Sequence, residues 1–546
     1  MTSAHVDTFA RDNLPPRSAW PEFVFALPEL HYPERLNCVT VFLDRWIEAG
    51  EGDRPCFVAP HETLNYAQTL ERVNRIANVL TRDLGLVPGN RVLLRGPNNP
   101  MMAAAYLAVI KAGGVVVATM PLLRAKEIAY PITKAKIGLA LCDCRLADEM
   151  EKAKALAPDL RSIVYWGTGT ADALEALMAQ PGYERFAACD TAAQDVCLIA
   201  FTSGTTGEPK GTMHVHRDML ATCDSYGRYV LRATPSDRFI GSPPLAFTFG
   251  LGGLVLFPMR IGACSILLEK APPDELLAAI SSFRATVCFT APTAYRAMLA
   301  KLAEHDISCL RKCVSAGEAL PKGTFDAWHD ATGLKIMDGI GATEMLHIFI
   351  GSPEDEIRSG STGRPVPGYE ARVIDDAGHE MPPGIPGRLA VRGPTGCRYL
   401  ADSRQHNYVQ SGWNVTGDTY VMDAEGYFWY QARSDDMIIS AGYNIAGPEV
   451  ESVLLTHDAV AECGVVASPD PERGSIVKAY VVLRPGHTGD AALTRTLQEH
   501  VKATIAPFKY PRAIEYVTQL PRTQTGKLQR FELRRIASEA ARKLAS

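Results

Sequence analysis

The chain has 546 residues, more than a single hydrophobic core usually supports, so its length predicts at least two domains. A formal net charge of −5, with 47% hydrophobic and 21% charged residues, is typical of a globular protein and argues against a surface that binds nucleic acid. The thirteen cysteines lack zinc-site spacing, which favours reduced thiols and a soluble, cytoplasmic protein. The N-terminus has no secretory pattern, and no apolar run approaches the ~20 residues that span a bilayer.

Helical stretches alternate with short apolar strands from residue 64 to about residue 337. The pattern predicts helices over 66–84 and 100–112, and strands over 91–95, 114–118, 139–142, 162–166, 239–243, 263–268 and 286–290. Alternation of this kind predicts an α/β fold of stacked layers with mostly parallel strands.

The second part of the chain has a different pattern. From residue 362 it is rich in Gly and Pro and reads as β structure, which predicts a β-rich subdomain. Beyond residue 435, predicted helices over 449–455 and 491–504 alternate with strands over 461–466 and 479–483. This last stretch of about 110 residues is long enough for a small α+β domain. We therefore predict a large N-terminal domain over 1–434 and a small C-terminal domain over 435–546.

One loop, Phe201-Thr-Ser-Gly-Thr-Thr-Gly-Glu-Pro-Lys-Gly211, follows an apolar run that reads as a buried strand. Its glycines let backbone N–H groups turn toward a phosphate, its hydroxyl groups donate further hydrogen bonds, and its lysine adds charge. The spacing differs from that of a Walker A loop, and a polar surface loop is the alternative interpretation. The residues expected to hold phosphate are Thr202, Ser203, Gly204, Thr205, Thr206, Gly207 and Lys210.

Other patterns support other functions less well. His214-Val-His216 has the residue types of a metal pair, but alternating residues after a phosphate loop are more typical of a strand. The chain contains no G-x-S-x-G nucleophile elbow, which weakens a hydrolase interpretation.

The phosphate loop resembles the signature loop of the adenylate-forming superfamily, which includes acyl- and aryl-CoA synthetases, luciferases and nonribosomal adenylation domains. Further segments resemble the superfamily's motifs in the same order. They are 315–320 (adenine pocket), 338–344 (nucleotide and metal), 412–418 (ribose), 432–445 (hinge) and 521–527 (lysine loop). Five ordered matches identify the chain as a member of this superfamily.

The resemblance implies that a carboxylate attacks ATP and that the resulting acyl-adenylate is passed to a thiol. A carboxylate is a poor acyl donor because its leaving group would be oxide, whereas the leaving group of an acyl-adenylate is AMP. The first step mainly requires positioning and charge neutralisation. ATP, Mg²⁺ and coenzyme A are the implied cofactors and co-substrates. The implied contacts are Thr343 with the α-phosphate, Glu344 with Mg²⁺, Asp418 with the ribose, Arg433 with ribose or phosphate, and Gly317, Glu318 and Asp338 at the adenine.

The resemblance also implies a mobile C-terminal domain. Lys527 would reach between the α-phosphate and the substrate carboxylate, although an ordinary surface lysine is the alternative. Asp435 fills the hinge position, and rotation about it would carry Lys527 away and bring Gly442 to a pantetheine tunnel. The context of Lys527 also resembles sites of reversible acetylation, so a lysine acetyltransferase is a hypothetical partner.

The substrate segment, 243–250, lacks the aspartate that amino-acid-activating relatives use. It resembles the benzoate–CoA ligase branch, and the whole chain is similar to 2-aminobenzoate–CoA ligases. We therefore expect an ATP-dependent aryl-CoA ligase for 2-aminobenzoate. Benzoate is the alternative substrate, and loading of a separate carrier-protein thiol is the alternative reaction. The implied pocket consists of Phe247, Thr248, Phe249, Gly341, His347 and Ile348, with a satisfied core histidine as an equal alternative for His347.

Overall fold

The computed structural model describes residues 2–202, 208–433, 436–440, 443–470, 474–523 and 526–545. Its first sheet has six strands, in the spatial order Ser162–Trp166, Leu139–Asp143, Arg91–Arg95, Val115–Thr119, Val196–Phe201 and Gly211–Val215. Neighbours are parallel except for the last pair, which is antiparallel. The phosphate loop therefore connects two adjacent strands at the edge of this sheet.

The second sheet has nine strands. Their order is Arg364–Pro365, Ile348–Gly351, Ile336–Gly341, Lys312–Ser315, Val287–Thr290, Arg238–Gly241, Cys264–Ile266, Pro55–Ala59 and Glu62–Asn65. The central strands are parallel and the pairs at both ends are antiparallel. Because Lys312–Ser315 and Ile336–Gly341 are parallel neighbours, their carboxyl ends bring the segments 315–318 and 338–344 together.

Helices cover the faces of both sheets, as the alternating pattern predicted. Tyr66–Asn78 starts with a capping box in which Asn65 and Gln68 satisfy each other's backbone N–H groups. The longer helices of this part are Tyr66–Asn78, Pro100–Lys111, Ala125–Lys134, Ala147–Leu156, Pro273–Phe283, Pro292–Leu299 and Lys322–Thr332. Four π-helical segments lie within the described residues, Thr40–Asp44, Val79–Asp83, Cys223–Leu231 and Gly252–Leu256, and each adjoins an α-helix.

The predicted β-rich subdomain is an antiparallel sheet of five strands, Glu370–Ile374, Gly387–Arg392, Trp413–Met422, Val409–Gln410 and Phe428–Arg433. Asp418 and Arg433 lie directly opposite each other in this sheet. The register therefore places two of the implied nucleotide contacts side by side.

The last part of the chain has its own buried cluster and the predicted α+β composition. Its helices are Gly447–Leu454, Ala491–Thr504 and Arg530–Ala545. Its strands are Ile438–Ser440, Tyr443–Ile445, Val460–Asp470, Gly474–Leu483 and Ala513–Tyr516. Within the described ranges, no helix is long and apolar enough to cross a membrane.

Candidate active site

The two ends of the phosphate loop are hydrogen-bonded to each other. Thr202 N–H donates to the carbonyl oxygen of Lys210 over 2.9 Å, and Lys210 N–H donates to the Thr202 hydroxyl over 3.1 Å. Lys210 Nζ donates to the hydroxyl of Tyr399 over 2.7 Å and lies 3.6 Å from Glu344 Oε1. The predicted phosphate ligands 203–207 lie outside the described residues.

Glu344 lies in a short 3₁₀ turn, Thr343–Met345, that follows the strand Ile336–Gly341. The residue is buried, and the Tyr399 hydroxyl donates to its Oε1. His214 stabilises this turn, because its Nε2 donates a hydrogen bond to the Thr343 carbonyl oxygen over 2.7 Å. One buried carboxylate beside a phosphate loop suits Mg²⁺, which usually takes one or two protein carboxylates and completes its shell with substrate phosphates and water.

His214 and His216 do not form a metal pair. His214 lies in a strand, as predicted, but His216 begins the helix His216–Thr222, so the strand interpretation was wrong for the second histidine. His216 Nδ1 lies 3.4 Å from Cys38 Sγ, in a buried group with Cys197 whose ligand atoms are within 4.8 Å of one another. The two side chains therefore belong to different contact networks.

The carboxyl group of Asp338 is buried. Its Oδ1 has no hydrogen-bond partner among the residues that the structure describes. Burial raises the pKa of this carboxyl to about 8, against the opposing effect of the Gly339 backbone N–H. Gly317, at the end of the adjacent strand, has a φ of +90°, a conformation that favours glycine.

Asp418 and Arg433 form an ion pair, with 3.2 Å between Arg433 Nη1 and Asp418 Oδ1. Burial raises the pKa of the Asp418 carboxyl, and the Arg433 guanidinium opposes that shift. The predicted ribose contacts are therefore adjacent, and Asp418 keeps an ionic partner.

Lys527 lies against the nucleotide motifs although it is 210 residues from Gly317 and 109 residues from Asp418 in the sequence. A Cβ atom placed on Gly317 would lie 3.8 Å from Lys527 Cε. Desolvation lowers the pKa of the Lys527 ammonium, while the nearby carboxylates of Glu318 and Asp418 raise it. Burial likewise raises the pKa of Glu318, and Arg522 and Lys527 oppose that shift. The last part of the chain therefore presents its lysine to the site.

A cluster of packed rings, which we call the ring slot, consists of His347, Tyr226, Phe249, Phe257 and Phe289. The other predicted pocket residues adjoin it: residues 247 and 248 precede Phe249, Ile348 follows His347, and Gly341 pairs with Ile348. His347 is its centre, with ring centroids 5.6 Å from Phe249 and 4.6 Å from Phe257. Ile348 is buried, and a Cβ on Gly339 would lie 2.6 Å from its Cγ2. A Cβ on Gly341 would lie 2.9 Å from the His347 carbonyl, so glycine is required there.

His347 is buried, and within the described part of the chain neither ring nitrogen has a hydrogen-bond partner. The assignment of His347 to the substrate pocket therefore stays a prediction beside the alternative of a core histidine. Burial lowers the pKa of the imidazole to about 3, so it is neutral at any ordinary pH. The half-buried Thr248 hydroxyl also makes no hydrogen bond to a described residue.

Sequence reasoning missed several residues of this region. Tyr399 joins Lys210 to Glu344, His214 supports Thr343, and Tyr226, Phe257 and Phe289 pack around His347 or Phe249. None of them lies in a segment that the motif comparison assigned to the site, and His214 was considered only as a metal ligand. Asp435 and Gly442 lie outside the described residues.

Models of known protein families match most of the chain. The model of the AMP-binding enzyme family matches residues 43–399, and that of the AMP-binding enzyme C-terminal domain matches residues 449–527. The chain therefore belongs to the AMP-binding enzyme family, within the adenylate-forming superfamily that its motifs indicated, and it is an acid–thiol ligase.

Individual relatives lie among the aryl-CoA ligases. The chain is 36% identical to a benzoate–CoA ligase of Thauera aromatica, over 93% of this chain and 97% of the relative. The crystal structure of the anthranilate CoA ligase AuaEII, in complex with anthranoyl-AMP, matches with a TM-score of 0.89 and 35% identity, over 94% of this chain and all of the other. A benzoate CoA ligase from Burkholderia xenovorans LB400 matches with a TM-score of 0.81 and 31% identity, over 91% and 99%.

Proposed function

We propose that this protein is an ATP-dependent aryl-CoA ligase that converts 2-aminobenzoate to its CoA thioester through an acyl-adenylate. The observation that carries the proposal is the ring slot, in which aromatic side chains pack around the neutral His347, together with the neighbouring Thr248 hydroxyl. Neither polar group has a hydrogen-bond partner among the described residues. His347 and Ile348 come directly after the turn that contains Thr343 and Glu344. A substrate ring bound beside them would therefore lie next to the nucleotide motifs.

In the first half-reaction, a carboxylate oxygen of the acid attacks the α-phosphorus of ATP and pyrophosphate leaves. Lys210, Arg433 and Lys527 supply positive charge around the reacting groups, which neutralises the charge that accumulates there. The Asp418 carboxylate can accept hydrogen bonds from both ribose hydroxyls, and Asp338 would lie at the edge of the adenine ring. Glu344 would hold Mg²⁺, which supplies further charge neutralisation on the phosphate oxygens.

In the second half-reaction, the CoA thiol attacks the carbonyl carbon of the adenylate. The C–S bond forms, the bond to AMP breaks, and the thiol proton passes to solvent. AMP is a far better leaving group than oxide, so the adenylate stores the driving force of ATP cleavage in a form that a thiol can use.

The preference for 2-aminobenzoate over benzoate rests on the unpaired polar atoms. A buried polar atom that lacks a hydrogen-bond partner lowers stability by about 1–3 kcal/mol of desolvation free energy. The neutral His347 has a ring nitrogen that can accept from the amino group of the substrate, and the Thr248 hydroxyl can donate or accept. Benzoate offers no such group. The similarity to an anthranilate CoA ligase supports this choice, whereas the similarity to benzoate–CoA ligases supports benzoate.

The test compares kcat/KM for 2-aminobenzoate, benzoate and hexanoate, with thioester formation measured by chromatography. We expect 2-aminobenzoate to exceed benzoate by about tenfold, the value of one or two net hydrogen bonds. Hexanoate should be a much poorer substrate, because a flexible chain fills a flat aromatic slot badly. Equal or better use of hexanoate would contradict the aryl assignment, and a preference for benzoate would contradict the 2-amino assignment.

The same assay separates the two acceptor thiols. Free CoA and a phosphopantetheinylated carrier protein are offered at equal concentrations with the preferred acid. We expect the thioester of free CoA, and transfer to the carrier protein alone would favour the carrier-loading alternative.

A further inference from the structure

Tyr399 lies between the lysine of the phosphate loop and the buried glutamate of the turn. Resting on the proposed use of ATP but not on the identity of the acid, we propose that Tyr399 is a positioning residue. It presents Glu344 to the metal ion and holds Lys210 until the nucleotide phosphates replace the tyrosine as the partner of that lysine.

The hydrogen-bond directions at Tyr399 follow from the chemistry of its neighbours. Lys210 Nζ can only donate and does so to the phenol oxygen over 2.7 Å. Glu344 Oε1 can only accept, so the phenol proton must point to it. One buried hydroxyl therefore accepts from the cation and donates to the carboxylate at the same time.

The contact engages only one oxygen of Glu344. Its Oε2 forms no hydrogen bond with any residue in the described ranges. Tyr399 thus orients the carboxylate through one oxygen and leaves the other for a ligand. Outer contacts of this kind fix the direction of a metal ligand, and their removal typically costs 10–100-fold in metal affinity.

The backbone fixes Tyr399 relative to Lys210. Residues 398–400 pair with the strand Gly211–Val215, which begins directly after Lys210: Thr212 bridges to Tyr399, and Leu400 N–H donates to the Gly211 carbonyl over 2.8 Å. Tyr399 N–H also donates to the side chain of Gln405 over 2.9 Å. The backbone of Tyr399 is therefore fixed against the strand that follows the phosphate loop and by the side chain of Gln405.

Lys210 has partners in this arrangement before a nucleotide binds. Its ammonium lies 4.7 Å from the centre of the Tyr399 ring and 3.6 Å from Glu344, so without nucleotide it is already paired. Phosphates that enter the loop offer stronger charge-assisted contacts than a neutral phenol. Lys210 can then turn toward them, while the Tyr399 hydroxyl continues to hold Glu344.

The chain provides a matched pair of variants for the test. Tyr399→Phe removes only the bridging hydroxyl. Tyr408→Phe removes a buried hydroxyl that has no hydrogen-bond partner in the described ranges, although its ring lies 5.6 Å from the same lysine ammonium. Calorimetry measures ATP binding to each full-length protein across a Mg²⁺ series, and AMP binding without metal. No carboxylic acid is present, so failure of the aryl assignment would leave this test intact.

We expect Tyr399→Phe to weaken Mg²⁺-dependent ATP binding by about 10–100-fold and to raise the half-saturating Mg²⁺ concentration. Its AMP binding should match that of the wild type, because AMP lacks the phosphates that engage Lys210 and the metal. Tyr408→Phe should match the wild type in both measurements.

Three results would overturn the proposal. Unchanged MgATP binding in Tyr399→Phe would show that the hydroxyl does not orient Glu344. An equal loss of MgATP and AMP binding would indicate a general change of the site. A melting temperature far below that of Tyr408→Phe would assign Tyr399 a structural role instead. As an independent check, Tyr399→Phe should add little to Glu344→Gln in a double-mutant cycle, since both act through one carboxylate, and fully additive effects would also contradict the proposal.

Discussion

Among single residues, we expect Asp338 to make nucleotide binding at the proposed adenine site depend on pH. Its pKa of about 8 in the folded protein lies above the ordinary 3.8, so the carboxyl is neutral near pH 7 without nucleotide. The folded state therefore favours the proton: this contribution to stability is complete below about pH 4 and is lost as the pH rises toward 8.

Nucleotide binding should reverse this preference. The adenine amino group is a donor and favours the ionised carboxylate, so ATP binding should tighten as the pH rises from 6.5 to about 8 and then level off. Calorimetric ATP affinity at several pH values checks this expectation. Asp338→Asn is nearly isosteric and cannot ionise, so its affinity should lack this pH dependence. An identical pH profile in the variant and the wild type would rule out Asp338 as the cause.

Thr248 is the residue through which substrate choice can be altered with least disturbance. Its hydroxyl has no partner among the described residues, so Thr248→Ala removes no internal hydrogen bond. A net hydrogen bond is worth ~0.5–1.5 kcal/mol, which predicts a threefold to tenfold fall in the ratio of kcat/KM for 2-aminobenzoate to that for benzoate. Thr248→Ser keeps the hydroxyl and should keep the ratio. If the ratio is unchanged in Thr248→Ala, this hydroxyl has no part in recognition.

Residues within the motifs were predictable from the sequence, whereas those that support them were not. Asp418 and Arg433 were identified by their segments, and the sheet register places them opposite each other. Tyr399 is 189 residues from Lys210 along the chain, and His214 is 129 residues from Thr343, so no local pattern connects either pair. Such contacts follow from sheet pairing, which a single sequence does not specify.

At the scale of the element, hydrophobic periodicity predicted the strands and long helices closely. The predicted strand 91–95 is Arg91–Arg95, and the predicted helix 100–112 is Pro100–Lys111. The predicted helix 66–84 begins at Tyr66 but changes to a π-helix at Val79. Periodicity did not reveal that change, because the apolar face continues through both kinds of turn.

The last residue of one helix gives a stability test. Lys111 ends Pro100–Lys111 and is fully buried, and its ammonium donates to Asp44 over 2.7 Å and to Asn74 over 2.9 Å. Burial lowers the pKa of Lys111, and Asp44 opposes that shift. Asp44→Asn should cost on the order of 2 kcal/mol, because it leaves a buried charge with neutral partners only.

Lys111→Met is the matched control, since it removes the fully buried charge and leaves the charge on Asp44, whose side chain is 23% exposed. It should cost clearly less than Asp44→Asn. Urea unfolding followed by circular dichroism compares the two variants. A greater loss in Lys111→Met would mean that the ion pair itself stabilises the fold, contrary to this expectation.

At the scale of the whole molecule, we propose that the chain divides into domains over 1–434 and 435–546, with the hinge at Asp435. The described structure has Lys527 beside Gly317, which is the arrangement that we propose for adenylation. Thioester formation would then follow rotation of the C-terminal domain, with Gly442 brought to the pantetheine path and Lys527 carried away.

Lys527→Ala tests whether Lys527 acts in adenylate formation and not in thioester formation. Adenylate formation should fall by roughly 10²–10³-fold, because a charged group at the reacting atoms is lost. Thioester formation from supplied aryl-adenylate and CoA should stay near the wild-type rate. Lys502→Ala is the control, since Lys502 pairs with Glu499 on the helix Ala491–Thr504 of the same domain. Equal loss of both half-reactions in Lys527→Ala would contradict the rotation.

The proposed reaction transfers the acyl group of an aromatic acid to CoA through an acyl-adenylate. The most direct measurement incubates the wild-type protein with ATP, Mg²⁺ and 2-aminobenzoate, first without CoA and then with it, and identifies every product by mass spectrometry. We expect aryl-adenylate and an equal amount of pyrophosphate before CoA is added, and aryl-CoA and AMP in equal amounts afterwards. Formation of ADP and phosphate, or of aryl-CoA without any adenylate, would contradict it.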